Sequence, residues 1–423
     1  MSNNVPLNEE NQVKENKNTC TLMYKDVKVL SFNLNKLNNA SVINEIYNLK
    51  YVPFSLLSEN ATEEGVLEKA NDLNIWLYNR NILSSRAHAD ELFDVSKMYD
   101  FLALNLSDHY WVQRVTDMRE LKYKDINYFE NEFPTELGDF LMRSQKYDKE
   151  DLNSPVLNTN GALPKKWIIE KGVRVLCKGI LTGHEPVNEI IANIVCHYSN
   201  IRYTPYILAH DSTLAEDDNQ GLYCKCNSFL NIDTEYVPST HLRYYFKDES
   251  AGIEGYENIV KYYTKLLKKD AESIRKELED MLFLDYLIGN TDRHFHNFGL
   301  IRDANTLEFI DIAPIFDNGT ALFHNHYYNL RDSYSESYEA LSEDDFTEIC
   351  DQYNKTTYQD AKPFFQYHIS QVQLIRNRER YKTTNIGAIL SSVKAVLSQY
   401  KSNEEMNYIL KTIEYRFIKL FPS

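Results

Sequence analysis

The apolar positions of this chain change period several times, and each change marks an element. Thr21 to Leu34 alternates through Leu22, Tyr24, Val27, Val29 and Leu30, which predicts a short strand pair. The segments around Glu64 to Leu77 and Ala87 to Leu106 space their apolar residues as helices do. Lys166 to Leu181 alternates again, through Trp167, Ile169, Val173, Val175 and Cys177, and Glu170-Lys171-Gly172 between its halves predicts a hairpin turn. Pro186 to Tyr198 places Ile190, Ile191, Ile194 and Val195 at helical spacing, and Leu222 to Phe229 reads as a strand. From Ile253 to Ile288 apolar residues recur at three and four, so helices are expected. The last of these stops at Gly289-Asn290, a C-terminal signal. Phe298 to Ile301 and Leu307 to Ile312 predict a hairpin through Asp303-Ala304-Asn305. From Asp344 onward the chain reads as helices, with Leu390, Val393, Val396 and Leu397, then Ile409, Leu410, Ile413 and Phe417, on one face.

Between these elements the composition shifts. Residues 1 to 20 are expected to be a disordered polar tail. Residues 144 to 164 concentrate Ser, Asn, Asp, Gly and Pro and read as a loop. Leu104 to Val112 and Tyr123 to Phe133 mix aromatics with polar residues. Trp111, Tyr128 and Phe129 there serve either as anchors of a docking surface or as packing against the rest of the fold.

At 423 residues the chain is long enough for two or three domains. No apolar run approaches the length of a membrane span and the N-terminus is polar rather than signal-like, so a cytoplasmic protein with no membrane contact is expected. The six cysteines form no C-x-x-C pair and have no zinc-ligand spacing, so they read as reduced thiols. A formal net charge of −16 argues against direct nucleic-acid binding over a broad surface, because that affinity comes from Lys and Arg neutralising phosphates. The 31 tyrosines fit codon bias better than a stacking function.

Candidate chemistry concentrates between Leu287 and Leu322. Phosphoryl transfer needs a carboxylate that orients the attacking hydroxyl and oxygen ligands that hold Mg²⁺ on the phosphates. Protein kinases place the first two on one loop as D-x-x-x-x-N, with a second Asp farther on in D-F-G. Asp292-Arg-His-Phe-His-Asn297 has that first spacing, and Asp317 follows inside an apolar frame. The context differs from ordinary protein kinases: Asn-Thr precedes Asp292, and Asp317 has Phe before it and Gly two places after it. Taken alone, the loop motif also suits a turn-capping role after a helix.

These residues resemble the HipA-like kinases, whose C-terminal lobe carries a D-x-H-x-x-N-F loop followed by an apolar-Pro-x-x-Asp segment. Here they read Asp292-Arg-His294-Phe-His-Asn297-Phe298 and Ala313-Pro-Ile-Phe-Asp317. Upstream, Gly161-Ala-Leu-Pro-Lys165 is similar to the family's G-x-x-x-K loop, followed by Val175-Leu-Cys-Lys178 and Asn188-Glu189. The motifs span residues 150 to 330 in the family's order.

The resemblance implies an α+β, two-lobed protein-kinase-like fold with a small mixed α/β N-terminal lobe and a mainly helical C-terminal lobe. It implies an accessory region over 21–145, a nucleotide-binding lobe over 146–250 and a helical lobe with the catalytic loop over 251–423. The implied activity is transfer of the γ-phosphoryl group of ATP, with Mg²⁺, to a serine or threonine of a protein, in a toxin-type regulator with a DNA-binding antitoxin partner. A small-molecule or lipid-headgroup kinase of the same fold and a weakly active binding module are the alternatives.

In this reading Asp292 is the catalytic carboxylate, and Asn297 and Asp317 hold Mg²⁺. His294 is a family residue that either hydrogen-bonds the loop or contacts phosphate, and His296 is a loop residue. Gly161 allows close backbone approach to phosphate, and Lys165 or nearby amides meet the anion. Lys178 either reaches phosphate, positioned by Glu189, or is a solvated strand end. HipA-like kinases carry a regulatory autophosphorylated serine in the upstream loop. The matching position here is Asn158, with Ser154 and Thr159 the nearest hydroxyls. Lys225-Cys-Asn-Ser also departs from the family at the adenine hinge. Asn318 to Glu339 is expected to be a mobile segment near the substrate.

Overall fold

A computed structural model of the chain describes residues 18–36, 39–78, 80, 102–115, 121–143, 155, 163–181, 185–212, 221–322 and 372–421. Helices mix with antiparallel strand pairs, an α+β fold. Two compact units divide the chain: Met1–Ile169 with Leu230–Glu235 and His241–Lys247, and Glu170–Phe229 with Tyr236–Thr240 and Asp248–Ser423.

In the first unit β1 (Thr19–Tyr24) and β2 (Val27–Leu34) form the expected strand pair, joined at Lys25 in the left-handed region at φ 48°. β1 thus starts at Thr19, inside the stretch read as a tail, and residues 1–17 lie outside the described set. The register sets Cys20 opposite Phe32 and Leu22 opposite Leu30, so four buried side chains share one face. β3 (Ala40–Ile46) and β4 (Tyr110–Arg114) complete a sheet of order β3-β2-β1-β4. The helix expected around Glu64 to Leu77 is two pieces, α1 (Glu63–Leu67), capped by Thr62 on the Gly65 amide, and α2 (Ala70–Tyr78). Residues 87–101 lie outside the described set, and Leu102 to Leu106 is not helical.

The aromatic-rich stretches form the core of this unit. Trp111, Tyr123, Tyr128, Phe129 and Phe133 pack with Met23, Leu104 and Leu106, and all are buried. Trp111 also donates from Nε1 to the Lys25 carbonyl at 2.7 Å. A docking surface built from these rings is therefore excluded, because a buried ring cannot meet a partner. After α3 (Tyr123–Ile126) and α4 (Glu136–Arg143), β5 (Lys165–Glu170) carries the chain to the boundary between the units.

The second unit opens at a two-residue turn in which Lys171 and Gly172 both have positive φ, 52° and 79°, as tight hairpins with matched twist require. β6 (Val173–Lys178) follows, then α5 (Glu185–Tyr198), β7 (Ile207–His210) and β8 (Leu222–Asn227), with β8 antiparallel to both β6 and β7. Leu176 faces Cys226 and Lys178 faces Cys224 in this register, so Lys178 shares a sheet face with both thiols. Cys20, Cys177, Cys196, Cys224 and Cys226 are buried free cysteines, as small hydrophobes. Cys350 lies outside the described residues.

β9 (Thr234–Pro238) and α6 (Ser239–Phe246) lead into the helices α7 (Gly252–Leu267) and α8 (Ala271–Ile288). Asp270 caps α8 by accepting from the Ser273 amide. Every residue from Leu278 to Ile288 is buried, which makes α8 the central element of this unit. It ends at Gly289 in the left-handed conformation, φ 59°, where the stop signal was read. The expected hairpin is β10 (Gly299–Asp303) with β11 (Phe309–Ile312), and the sheet order is β11-β10-β9. α9 (Ile386–Leu397) and α10 (Asn403–Leu420) close the chain, and Arg416 of α10 donates to the Tyr286 carbonyl of α8 at 2.8 Å. Residues 323–371, with most of the segment expected to be mobile, lie outside the described set. No helix among the described residues is long and apolar enough to cross a membrane.

Candidate active site

The end of α8 delivers Asp292 to a loop held by both backbone and side-chain hydrogen bonds. Asn290 accepts the Asp292 amide at 3.0 Å, and its own amide donates to Asp285 Oδ1 at 2.9 Å. Asn297 Nδ2 donates to the Asp292 carbonyl at 3.1 Å, which fixes the amide plane and leaves Oδ1 for another partner. His294 Nε2 lies 4.0 Å from Asp292 Oδ1. The Asp292 side chain keeps 35% of its exposure, whereas Asp285, Asn290 and Arg293 are fully buried. The Asp292 carboxylate is thus accessible and its supports are not.

His296 plays a loop role. Its carbonyl accepts from the Tyr236 hydroxyl at 2.9 Å, and burial, helped by the neighbouring His294, pushes its imidazole down to about 4.

A second group of residues comes from β6, α5 and the segment after β11. Lys178 Nζ lies 2.7 Å from Glu189 Oε1 and 2.6 Å from Asp317 Oδ1. Burial opposes the lysine charge, but the carboxylates of Asp317 and Glu189 outweigh it and hold the ammonium well above its ordinary pKa. The bland reading of Lys178 as a solvated strand end is thereby overturned, because its side chain is 3% exposed. Glu189 uses its other oxygen, Oε2, to accept the Asn318 backbone amide at 3.1 Å and its side-chain amide at 3.3 Å.

Asp317 adopts φ 61°, a left-handed conformation that costs a non-glycine residue about 1–2 kcal/mol. Bonds on both sides hold it there. The Phe316 carbonyl accepts from Arg293, and the Asn318 amide donates to Glu189. One residue earlier on α5, Asn188 donates to the carbonyls of Gly319 at 3.0 Å and Ala321 at 2.6 Å.

Arg293 connects the two groups. All five of its N–H donors are engaged: Nε and Nη2 grip Asp285, Nη1 serves the Asn297 and Phe316 carbonyls, and Nη2 also serves Asn318 Oδ1. In the sequence Arg293 and Asn188 stand out only as members of motifs, Asp285 only as a position of a periodic helix and Asn318 only as the start of a polar segment. A buried arginine carries no sequence signal of its own, since arginines are mostly exposed.

Of the other expected site residues, Lys165 is buried at the start of β5 in the first unit. Gly161, Ser154, Asn158 and Thr159 lie outside the described residues.

Among the described residues no cluster of three or more His, Cys, Asp or Glu could hold a metal ion alone. What the site offers is one carboxylate, Asp317, and one amide, Asn297. That donor set fits Mg²⁺ better than a caged ion, because Mg²⁺ takes hard oxygen ligands, keeps waters and completes its shell with substrate phosphates. The ammonium already set against Asp317 Oδ1 marks that carboxylate as one that faces positive charge.

Comparison with known proteins agrees with the motifs. Residues 230–379 match the HipA-like C-terminal domain. The chain carries a HipA-like domain. The resemblance seen in the motifs is thereby borne out for the segment holding Asp292, Asn297 and Asp317. A 44-residue stretch is 50% identical to the serine/threonine-protein kinase CtkA of Helicobacter pylori. It covers 10% of this chain and only 13% of that kinase. A crystal structure of the H. pylori proinflammatory kinase CtkA is similar over 60% of this chain and 90% of that one, at 16% identity and a TM-score of 0.46. A toxin–antitoxin complex of HipA, HipB and operator DNA from Shewanella oneidensis MR-1 is similar over 95% of this chain and 96% of that one, at 10% identity and the same TM-score.

Proposed function

We propose that this HipA-like protein is an ATP- and Mg²⁺-dependent protein serine/threonine kinase. The observation that carries the reading is the position of Lys178, buried between Glu189 and Asp317 at 2.7 and 2.6 Å, in the same unit as the Asp292–Asn297 loop. A fully paired ammonium beside an accessible carboxylate is what a phosphate-bearing, metal-bound ligand requires. Phosphate oxygens would take the place of Asp317 on Lys178, which would leave the Asp317 carboxylate to hold the cation.

In the mechanism Asp292 accepts the hydrogen bond of a protein hydroxyl and takes its proton as the oxygen attacks the γ-phosphorus and the bond to the bridging oxygen breaks, releasing ADP. Asn297 Oδ1 and Asp317 would hold the cation, which would supply charge neutralisation for the developing phosphate. Lys178 contacts phosphate and Glu189 aims it. His294 accepts the His296 amide on Nδ1 at 3.3 Å, a role within the loop, while its Nε2 lies 4.0 Å from Asp292 Oδ1. Gly161 and Lys165 keep their phosphate-loop role on the motif alone. Cytoplasmic location and a DNA-binding antitoxin partner are further parts of the proposal that rest on the family resemblance.

The test is intact-mass measurement of the purified protein after incubation with ATP and Mg²⁺, beside Asp292→Asn. Phosphate gained by the wild type and absent from the variant supports a protein kinase. ATP binding without gain directs attention to external protein or small-molecule substrates, and absence of ATP binding sinks the kinase reading.

A further inference from the structure

Resting on the kinase reading, we propose that Arg293 is a positioning residue that sets the separation of the two cation ligands, Asn297 and Asp317. The argument begins with which atoms it holds. From Nη1 alone it donates to the carbonyl of Asn297 at 3.0 Å and to the carbonyl of Phe316, the residue before Asp317, at 2.7 Å. From Nη2 it donates to Oδ1 of Asn318, the residue after Asp317, at 2.6 Å. One rigid, planar group thus spans the ligand on the loop and both neighbours of the ligand on the second segment.

The guanidinium is itself held in place. Asp285 takes Nε at 3.0 Å and Nη2 at 3.1 Å, the two-point geometry that fixes both distance and orientation. Asp285 lies in the last turn of the buried helix α8 and also accepts from Asn290. The spacing of the ligands is therefore referred to the most buried helix of the unit. This matters for a cation site more than for most, because Mg²⁺ demands near-ideal octahedral geometry at short distances. Asp317 sits in a strained backbone conformation, so release of its flanks lets it relax away from the geometry required.

A purely structural ion pair would predict lost stability without altered metal preference. The two are separated by comparing wild type, Arg293→Lys and the double variant Asp285→Leu/Arg293→Met. The double variant removes both buried charges together and so avoids an uncompensated one. Each protein is titrated with Mn²⁺ in the presence of the non-hydrolysable analogue AMPPNP, with free Mn²⁺ followed by electron paramagnetic resonance. AMPPNP binding without metal and the denaturant midpoint are measured alongside.

The expected result is a loss of about 10- to 100-fold in Mn²⁺ affinity, the range seen when outer-shell partners of metal ligands are removed, with metal-free AMPPNP binding little changed. Variants that fold and bind Mn²⁺ as the wild type does overturn the positioning role and leave the kinase reading intact. Loss of cooperative unfolding in both variants assigns Arg293 to stability and likewise overturns it. A wild type that binds neither AMPPNP nor Mn²⁺ overturns the kinase reading and this inference together.

Discussion

Lys178 and Asp317 lie 139 residues apart in sequence, yet their side chains meet at 2.6 Å, with Glu189 at 2.7 Å on the same ammonium. The contact joins the end of β6 to a strained residue beyond β11, and its three members are unequally buried. Lys178 and Glu189 are nearly inaccessible, whereas the Asp317 side chain is 23% exposed. The permanent part of the triad is therefore Lys178–Glu189, and Asp317 is the member able to exchange partners.

That asymmetry predicts different outcomes for two variants. Lys178→Met leaves Glu189 buried without its counter-charge and is expected to cost about 3–5 kcal/mol of stability, along with phosphate transfer. Asp317→Asn should also abolish transfer, but with a cost near 1 kcal/mol, because Lys178 keeps Glu189. Denaturant unfolding of both, with intact-mass measurement of phosphate gain, checks this. Equal destabilisation would refute the assignment of Asp317 as the exchangeable partner.

Asn188 should matter through the backbone beyond Asp317. Its amide serves two buried carbonyls, Gly319 and Ala321, from a side chain that is 1% exposed. Asn188→Leu keeps the volume and leaves both acceptors unpaired, at an expected cost of about 2–4 kcal/mol. ATP affinity should fall with it, measured calorimetrically at a temperature where the variant remains folded. Retained stability would mean that water replaces the lost donors.

The elements with a clean period were legible in the sequence: the β1/β2 pair, α5, α7, α8 and the β10/β11 hairpin. β3 was not, because its pairing with β2 contains two register irregularities and its burial does not alternate. β4 was hidden because Tyr110, Trp111 and Val112 are consecutive and all buried. Within the site, the residues proposed to meet ligands carry motif spacing, while those that hold them in place do not. Asp285, Arg293 and Asn318 act only through contacts made in the folded chain, and polar residue types in those positions look like ordinary surface until their burial is known.

Gly299, in the Asn297-Phe298-Gly299 run, is required by close approach of backbone to backbone. A Cβ there would stand 2.3 Å from the Val237 carbonyl and 2.8 Å from Pro238 Cα. Neither can move without breaking the β9/β10 edge, so Gly299→Ala is expected to cost about 3 kcal/mol or more. Gly319→Ala is the milder control, since its Cβ would meet Glu185 Cβ at 3.1 Å and that neighbour can shift slightly. A cost of about 1 kcal/mol is expected for it. The ranking of the two denaturant midpoints is the check, and a reversed order would contradict the contact geometry.

Lys401 gives a pH-dependent prediction away from the site. Its side chain is 2% exposed, Nζ makes no hydrogen bond among the described residues, and its ion pair with Glu405 is long at 3.8 Å. Burial pushes its pKa down to about 8, with Glu405 only partly opposing. Between about 8 and the ordinary lysine value of 10.5 the unfolded chain holds more protons than the folded one. This group's contribution to stability must therefore rise with pH across that window, and its penalty is complete below it. Lys401→Met removes the penalty and is expected to stabilise the protein at pH 7 by about 1–3 kcal/mol. The gain should shrink as pH approaches 10.5. Urea unfolding of both proteins from pH 7 to pH 10 measures it, and a gain that stays constant across the range would show that Lys401 is not titrating from a buried position.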